Sequence, residues 1–346
     1  MTNDPHPASL HTPLCDLLGC NLPVLLAGMG GVSRWELAAA VADAGGFGML
    51  GMVREDPALI IQEVTALRSV SGRSFAVNLI PAATEPALLE AQIACCLELD
   101  VRFFTFFWDV MPDIVSRVKD AGCTVLHQVG TVEAARQAER AGADVIIAQG
   151  IEAGGHVHGR TPVFELTDAV LSQTSLPVVA SGGIVDGTGL AAALAMGASG
   201  VQCGTAFLAT EESYAHPYHK ERVCAAHGDD TVLTDVYVLN WHKGAAVRVI
   251  ANSQTGALGG RYLGHDPDTL PREPIARDEG QPRLRFSTDS PLRTTTGDLE
   301  AMALFAGQGV GDISEIVPAA RRIADMSAQA DRLLRGPVLT DQDVPI

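Results

Sequence analysis

Short runs of apolar, β-favouring residues alternate with helix-patterned stretches from residue 23 to about residue 210. The runs are Pro23–Ala27, Phe47–Leu50, Phe75–Leu79, Arg102–Phe107, Thr124–His127, Val145–Gln149, Pro177–Ser181 and Gly200–Gly204. They are continuously apolar rather than alternating, the pattern of parallel strands buried on both faces. Between them, Arg34–Ala44, Pro57–Val70, Pro86–Leu97, Pro112–Ala121, Thr131–Ala141, Leu166–Ser172 and Gly187–Met196 carry helical patterning. Several of these open on a proline, whose missing N–H costs nothing in a first helical turn. The pairs Ala44-Gly45, Ala121-Gly122 and Ala141-Gly142 precede the next strand, where glycine serves as a left-handed cap.

Eight strands in a regular βα rhythm predict an α/β chain closed into a (β/α)8 TIM barrel. An open doubly wound sheet fits less well. The first βα turn, Gly28-Met29-Gly30-Gly31, is no GxGxxG followed by an acidic residue about 20 positions on. After Cys224 the rhythm stops. Residues 230–295, rich in Asp, Gly, Pro, Thr and Arg, read as an irregular excursion or lid over the active face. Helical patterning resumes at Gly297–Gly307 and Ile313–Leu334, and Pro337–Ile346 reads as a loose tail. The expected division is a barrel over 1–229, the excursion over 230–295, and C-terminal helices packing on the barrel over 296–346.

Composition narrows the partners. With 346 residues, 47% of them hydrophobic, the chain can bury one large core. A formal charge of −17 argues against nucleic-acid and anionic-membrane partners. The opening MTNDPHPASLHTPL has neither the basic nor the apolar region of a secretion signal, and no apolar run reaches about 18 residues. The seven cysteines lack CxxC spacing and read as structural thiols of a cytoplasmic protein. A homodimer is compatible with the sequence.

Candidate chemistry gathers at the C-terminal ends of the strands, the working face of such a barrel. The seventh strand ends in Ala180-Ser181-Gly182-Gly183 and the eighth in Gln202-Cys203-Gly204-Thr205. Either glycine turn alone could be a plain tight turn. Together, on these two strands, they point to phosphate held by backbone N–H groups and the Thr205 hydroxyl. The sixth strand runs into Gln149-Gly150-Ile151-Glu152-Ala153-Gly154-Gly155-His156-Val157-His158-Gly159. Its glycines allow close approach to a flat ligand, and a histidine there can move a proton near neutral pH. His156 and His158 lack an obvious third ligand, so no metal site is expected. Trp241-His242-Lys243 reads equally as part of a lid or as a surface patch, and Trp108 as the mouth of the aromatic fourth strand.

QGIEAGGHVHG, PVVASGGIVDGTGLAAALAMGASGVQCGTAFLAT and PVLLAGMGGVS together resemble the nitronate monooxygenase (2-nitropropane dioxygenase-like) family. The likeness runs from Pro23 to about Lys220 and returns at AGQGVGDI, Ala306–Ile313. It implies an FMN-dependent oxidoreductase acting on a small molecule with O2, oxidising alkyl nitronates to carbonyl compounds and nitrite. It further implies FMN contacts from Ala27, Gly28, Met29, Asn78, Gln149 and Gly154. The phosphate would be held by Gly182, Gly183, Gln202, Cys203, Gly204 and Thr205, and His156 would be catalytic. Here Val157-His158 is interposed before Gly159, and the fifth strand ends in His127-Gln128. His127, His158 and Trp108 are therefore expected around the substrate. Related NAD(P)H-dependent flavin reductases of quinones or enoyl thioesters share these motifs. A flavin-binding protein without turnover is the reading from another class.

Overall fold

The computed structural model describes residues 10–335. The expected tail at 337–346 and most of the N-terminal stretch read for a secretion signal lie outside them.

Eight parallel strands form one largely buried sheet: β1 (Val24–Leu26), β2 (Gly48–Gly51), β3 (Phe75–Leu79), β4 (Phe103–Phe106), β5 (Thr124–Val129), β6 (Val145–Gln149), β8 (Val178–Ser181) and β9 (Gly200–Cys203). A further short strand, β7 (Gly155–Val157), lies between β6 and β8 in the chain and stays outside this sheet. The spatial order is β1-β9-β8-β6-β5-β4-β3-β2. The sheet closes where Phe47 N–H donates to Val24 O at 2.9 Å and Leu26 N–H to Phe47 O at 3.0 Å. Leu25, Ile147 and Val179 share the inward side of the strands and fill the barrel at 0% exposure, so it is packed and not a pore, while Leu26, Val77, Phe104 and Ile146 are equally buried on the outer side under the helices.

The helices form where the pattern predicted them, for identifiable reasons. α3 (Pro57–Val70) starts on a proline, and the Asp56 carboxylate accepts from Ala58 N–H at 2.9 Å. α6 (Val132–Ala141) is opened by Thr131, whose hydroxyl accepts from Ala134 N–H at 3.1 Å. It stops at Gly142, whose φ of +101° only glycine adopts freely. α8 (Gly187–Met196) is capped by Asp186, which accepts from Thr188 and Gly189 N–H. The helix α12 (Ala319–Arg335) packs back on α8, where Gln329 Oε1 accepts from Gly187 N–H at 2.9 Å.

Three stretches beyond Cys224 differ from expectation. The excursion is ordered, not irregular. β10 (Thr231–Thr234) and β11 (Ala246–Ile250) pair antiparallel with each other, and β11 pairs with β7. β12 (Pro274–Asp278), β13 (Gln281–Leu284) and β14 (Thr296–Gly297) form a second small sheet. Val236, Tyr237, Val247, Val249 and Ala303 make a separate apolar cluster beneath the first. Gly297–Gly307 is not a helix. Within its apolar run Ala301–Ala306, Leu304–Ala306 lies along β11, with Ile250 N–H donating to Leu304 O at 2.8 Å. A short, wholly apolar run satisfies strand-like burial as well as helical burial, and packing decided here. The last helix begins at Ala319 and not at Ile313, directly after Pro318, which cannot continue a helix backward through its missing N–H.

Candidate active site

Strand register sets one polar layer at the carboxyl end of the barrel. Asn78 pairs with Thr105, Gln149 with Ser181, and Ser181 with Gln202. The side chains of Asn78, Gln128, Gln149, Ser181 and Gln202 face one cavity of about 530 Å³. Gln202 Nε2 donates to Gln128 Oε1 at 2.6 Å and to Ser181 Oγ at 3.3 Å. Asn78 Nδ2 donates to Thr105 O at 3.1 Å. Gln202 Oε1 is buried with no partner, an acceptor open to a ligand N–H.

Glycines bring backbone to this cavity. A Cβ on Gly28 would lie 2.3 Å from Asn78 Cβ, so the first βα turn can touch Asn78 only as glycine. Gly182 and Gly183 have φ of +116° and +69°, conformations that side chains resist. Gly204 opens toward the cavity, and Thr205 Oγ1 accepts from Gly307 N–H at 2.9 Å while keeping its own hydroxyl proton. Amide side chains at one end and two glycine turns with a hydroxyl at the other fit a flat heteroaromatic ligand bearing a phosphate.

His156 sits on β7, whose pairing with β11 places it opposite Val247. Gln149 fixes this hairpin from both sides: its Nε2 donates to His156 O at 2.9 Å, and its Oε1 accepts from His158 N–H. The imidazole stacks on Trp241, with ring centres 3.9 Å apart and planes 27° apart. Trp108 meets its edge at 5.9 Å and Phe305 lies at 6.2 Å. Burial, followed by the charges of Arg54 and His242, depresses its pKa to about 3. The ring is therefore neutral at physiological pH, and its Nε2 is buried without a partner.

Most of the sequence-read positions converge. Ala27, Gly28, Met29, Asn78, Gln149, Gly154, His156, Gly182, Gly183, Gln202, Gly204 and Thr205 all line the cavity. Cys203, His127, His158 and Trp108 do not. Cys203 is a strand residue at 1% exposure whose thiol is pushed up to about 12 by burial. His127 is buried against Phe106, and burial lowers its pKa to about 4; strand alternation turns Gln128 to the cavity instead. His158 and Trp108 stand beside His156, 4.9 Å from each other. Glu152 is structural, its carboxylate accepting from Val163 N–H at the start of α7 (Val163–Leu171).

Sequence reasoning passed over Arg54, Arg283, Gln128 and Phe305, all on the cavity wall. The Arg54 guanidinium lies 4.6 Å above the Trp241 ring and donates to Asn240 O. The signal that could have found Gln128 is strand alternation, which gives it the same inward parity as Asn78 and Gln149. Arg54 and Arg283 lie in segments without patterning, and only the fold brings them here. Among the described residues no group of three or more His, Cys, Asp or Glu is placed to hold a metal ion, and no helix is long and apolar enough to cross a membrane.

Comparison with known proteins agrees with this geometry. The family profile described as nitronate monooxygenase matches residues 11–95 and 82–329. A nitronate monooxygenase of Paraburkholderia phytofirmans is 31% identical over 91% of this chain and 94% of its own. A (3aS,4S,5R,7aS)-5-hydroxy-7a-methyl-1-oxo-octahydro-1H-indene-4-carboxyl-CoA dehydrogenase of Mycobacterium tuberculosis is 36% identical over 65% of this chain. That match spans 63% of the relative, under two thirds of its length. Among solved structures, FabK from Thermotoga maritima superposes with a TM-score of 0.76 at 31% identity, covering 94% of this chain and 97% of that one. Nitroalkane oxidase from Streptomyces ansochromogenes gives 0.74 at 32% identity, covering 92% and 97%. A barrel with this polar layer, this histidine hairpin and a profile match over nearly its whole described length belongs to the nitronate monooxygenase family of oxidoreductases.

Proposed function

We propose that the protein is an FMN-dependent nitronate monooxygenase, oxidising alkyl nitronates with O2 to carbonyl compounds and nitrite. The observation that carries this reading is the neutral, buried imidazole of His156 on the cavity wall beside the cation of Arg54. The unpartnered Gln202 Oε1 and the paired glycine turns fit FMN: Asn78, Gln128, Gln149 and Gln202 toward the ring, Gly182, Gly183, Gly204 and Thr205 toward the phosphate. When bound, FMN supplies the redox chemistry through which O2 and the nitronate carbon react.

The chain's own residues hold and polarise the substrate. Burial leaves the His156 ring neutral, so it supplies no positive charge to the nitro oxygens. Anion binding therefore passes to Arg54, which stays protonated although burial lowers its pKa. With a neutral nitroalkane, His156 accepts the α-proton. The imidazolium then forms beside the anion made in the same step, and their attraction offsets the desolvation that otherwise keeps the ring neutral. Val53, Ile80, Phe107 and Phe305 exclude water around the carbon chain.

The test is O2 uptake and nitrite release on mixing the FMN-loaded protein with propane-2-nitronate. Matching nitrite and O2 traces are expected. Fast flavin bleaching by NADH, with no nitronate-dependent O2 uptake, would replace this reading by the second one. That second reading is an NAD(P)H-dependent flavin reductase of quinones or enoyl thioesters. It is favoured by the likeness to a relative named for a carboxyl-CoA substrate, and by Arg54 and Arg283 on one wall, which suit phosphates. The seven free thiols support a cytoplasmic setting.

A further inference from the structure

Arg54, Trp241 and His156 form a column, the guanidinium 4.6 Å over the indole and the indole 3.9 Å over the imidazole. Its nitrogen atoms are under-used. Trp241 Nε1 is buried with no acceptor, and His156 Nε2 is buried with no partner. Arg54 donates to Asn240 O. Among the described residues it forms no ion pair, because Glu55 is taken by Arg34 at 3.8 Å and Asp289 by Arg283 at 3.7 Å. A buried donor without an acceptor and a half-buried cation that feels Asp289 and Glu55 only at a distance both weigh against folding unless a ligand answers them.

The column is also held in place. Arg54 sits at a φ of +58°, a conformation non-glycine residues seldom adopt and that marks a constrained site. The turn presenting Trp241 is anchored through Asn240 Oδ1, which accepts from Thr288 N–H at 2.7 Å and Thr288 Oγ1 at 2.9 Å. Next along the chain, His242 and Lys243 are exposed, so the indole is the inward-facing member of its loop.

We propose that Arg54 and Trp241 form an oxyanion site, the guanidinium and the indole N–H donating to the two oxygens of a small planar monoanion on a short apolar chain. The identification of that anion as a nitronate rests on the function proposed above; the site itself takes carboxylates by the same geometry. Trp241 is thereby a substrate-binding residue contributed by the excursion, and the barrel alone lacks the site.

The test is calorimetric titration of the FMN-loaded protein with propionate, a non-reacting two-oxygen anion. Trp241→Phe keeps both stacks and removes only the N–H, and is expected to weaken propionate about tenfold. Arg54→Met is expected to weaken it at least about tenfold. Arg54→Gln, neutral and still able to donate to Asn240, carries the test if the Met variant does not fold. Propionate binding unchanged in these variants at full flavin content, or absent from the wild type, overturns the site. Arg54- and Trp241-dependent propionate binding in a protein that takes up no O2 with propane-2-nitronate keeps the site and removes the nitronate assignment. Undiminished nitronate turnover in Trp241→Phe and Arg54→Gln does the reverse.

Discussion

Gln202 Nε2 donates to Gln128 Oε1 at 2.6 Å across the mouth of the barrel, joining β9 to β5, strands that are not neighbours in the sheet. This bond orients the buried Gln202 so that its own carbonyl oxygen stays free. Gln128→Leu removes the acceptor and frees the Gln202 amide to rotate. Flavin affinity is expected to fall about tenfold, read as flavin fluorescence recovered on dilution, with the barrel still folded by circular dichroism. Retention equal to wild type would show that the bond does not orient Gln202 for the cofactor.

His156→Asn keeps a polar side chain of similar shape and cannot take a proton. The expected loss in kcat/KM for a neutral nitroalkane is about a hundredfold, with a smaller loss for the preformed nitronate. Because burial holds the wild-type pKa near about 3, the pH–rate profile should show no His156 inflection between about pH 5 and 8. An inflection near pH 6.5 that disappears in the variant would contradict a neutral, buried imidazole.

Acid should destabilise the fold through its buried histidines. His219 is fully buried, with Nε2 3.0 Å from Phe305 O, and burial lowers its pKa to about 4; His127 falls to about 4 for the same first cause. An unfolded histidine titrates at about 6.5, so below that pH the unfolded chain binds protons that the folded one refuses. Stability is then complete above about pH 6.5 and lost as pH falls toward 4. Melting curves from pH 7 to 4.5 should show Tm falling, and His219→Gln should flatten that fall while lowering Tm at pH 7. Parallel slopes would assign acid lability to other groups.

Gly28→Ala places a methyl where Asn78 Cβ and Cγ stand at 2.3 and 2.4 Å. Asn78 must then leave Thr105 O, or the first βα turn must move. A cost of about 1–3 kcal/mol in urea unfolding is expected, with loss of bound flavin. Gly72→Ala, with nothing within 4 Å of the added methyl, is the control and should change neither.

The barrel was legible because parallel strands buried on both faces leave uninterrupted apolar runs, and because Gly45, Gly122 and Gly142 do take positive φ where left-handed caps were expected. The convergence of the glycine turns and strand-end amides on one cavity was legible because they keep a fixed relation to those runs. What escaped reading depends on contacts distant in sequence. β7 is three residues long, and only its pairing with β11 reveals Gly155–Val157 as a strand instead of a loop. The alternation of β5 hid Gln128 behind the more conspicuous His127. The excursion's two sheets have short strands with mixed polarity, and its Trp241 acquires meaning only when Arg54, from the far side of the barrel sequence, lies over it.

His156 is a rung of the excursion's own sheet, paired with Val247, while the neighbouring Arg248 grips Ile151 O at 2.9 Å just ahead of the hairpin. On the function proposed above, recognition and chemistry are therefore inherited as one module. A chimera importing another relative's strands at 231–250 would re-seat the histidine along with the substrate wall, and would gain or lose activity as a block. Laboratory evolution of substrate preference has a narrower route: residues 240–245 lie between the paired strands, and changing them alters the loop while leaving the rung beneath the imidazole in register.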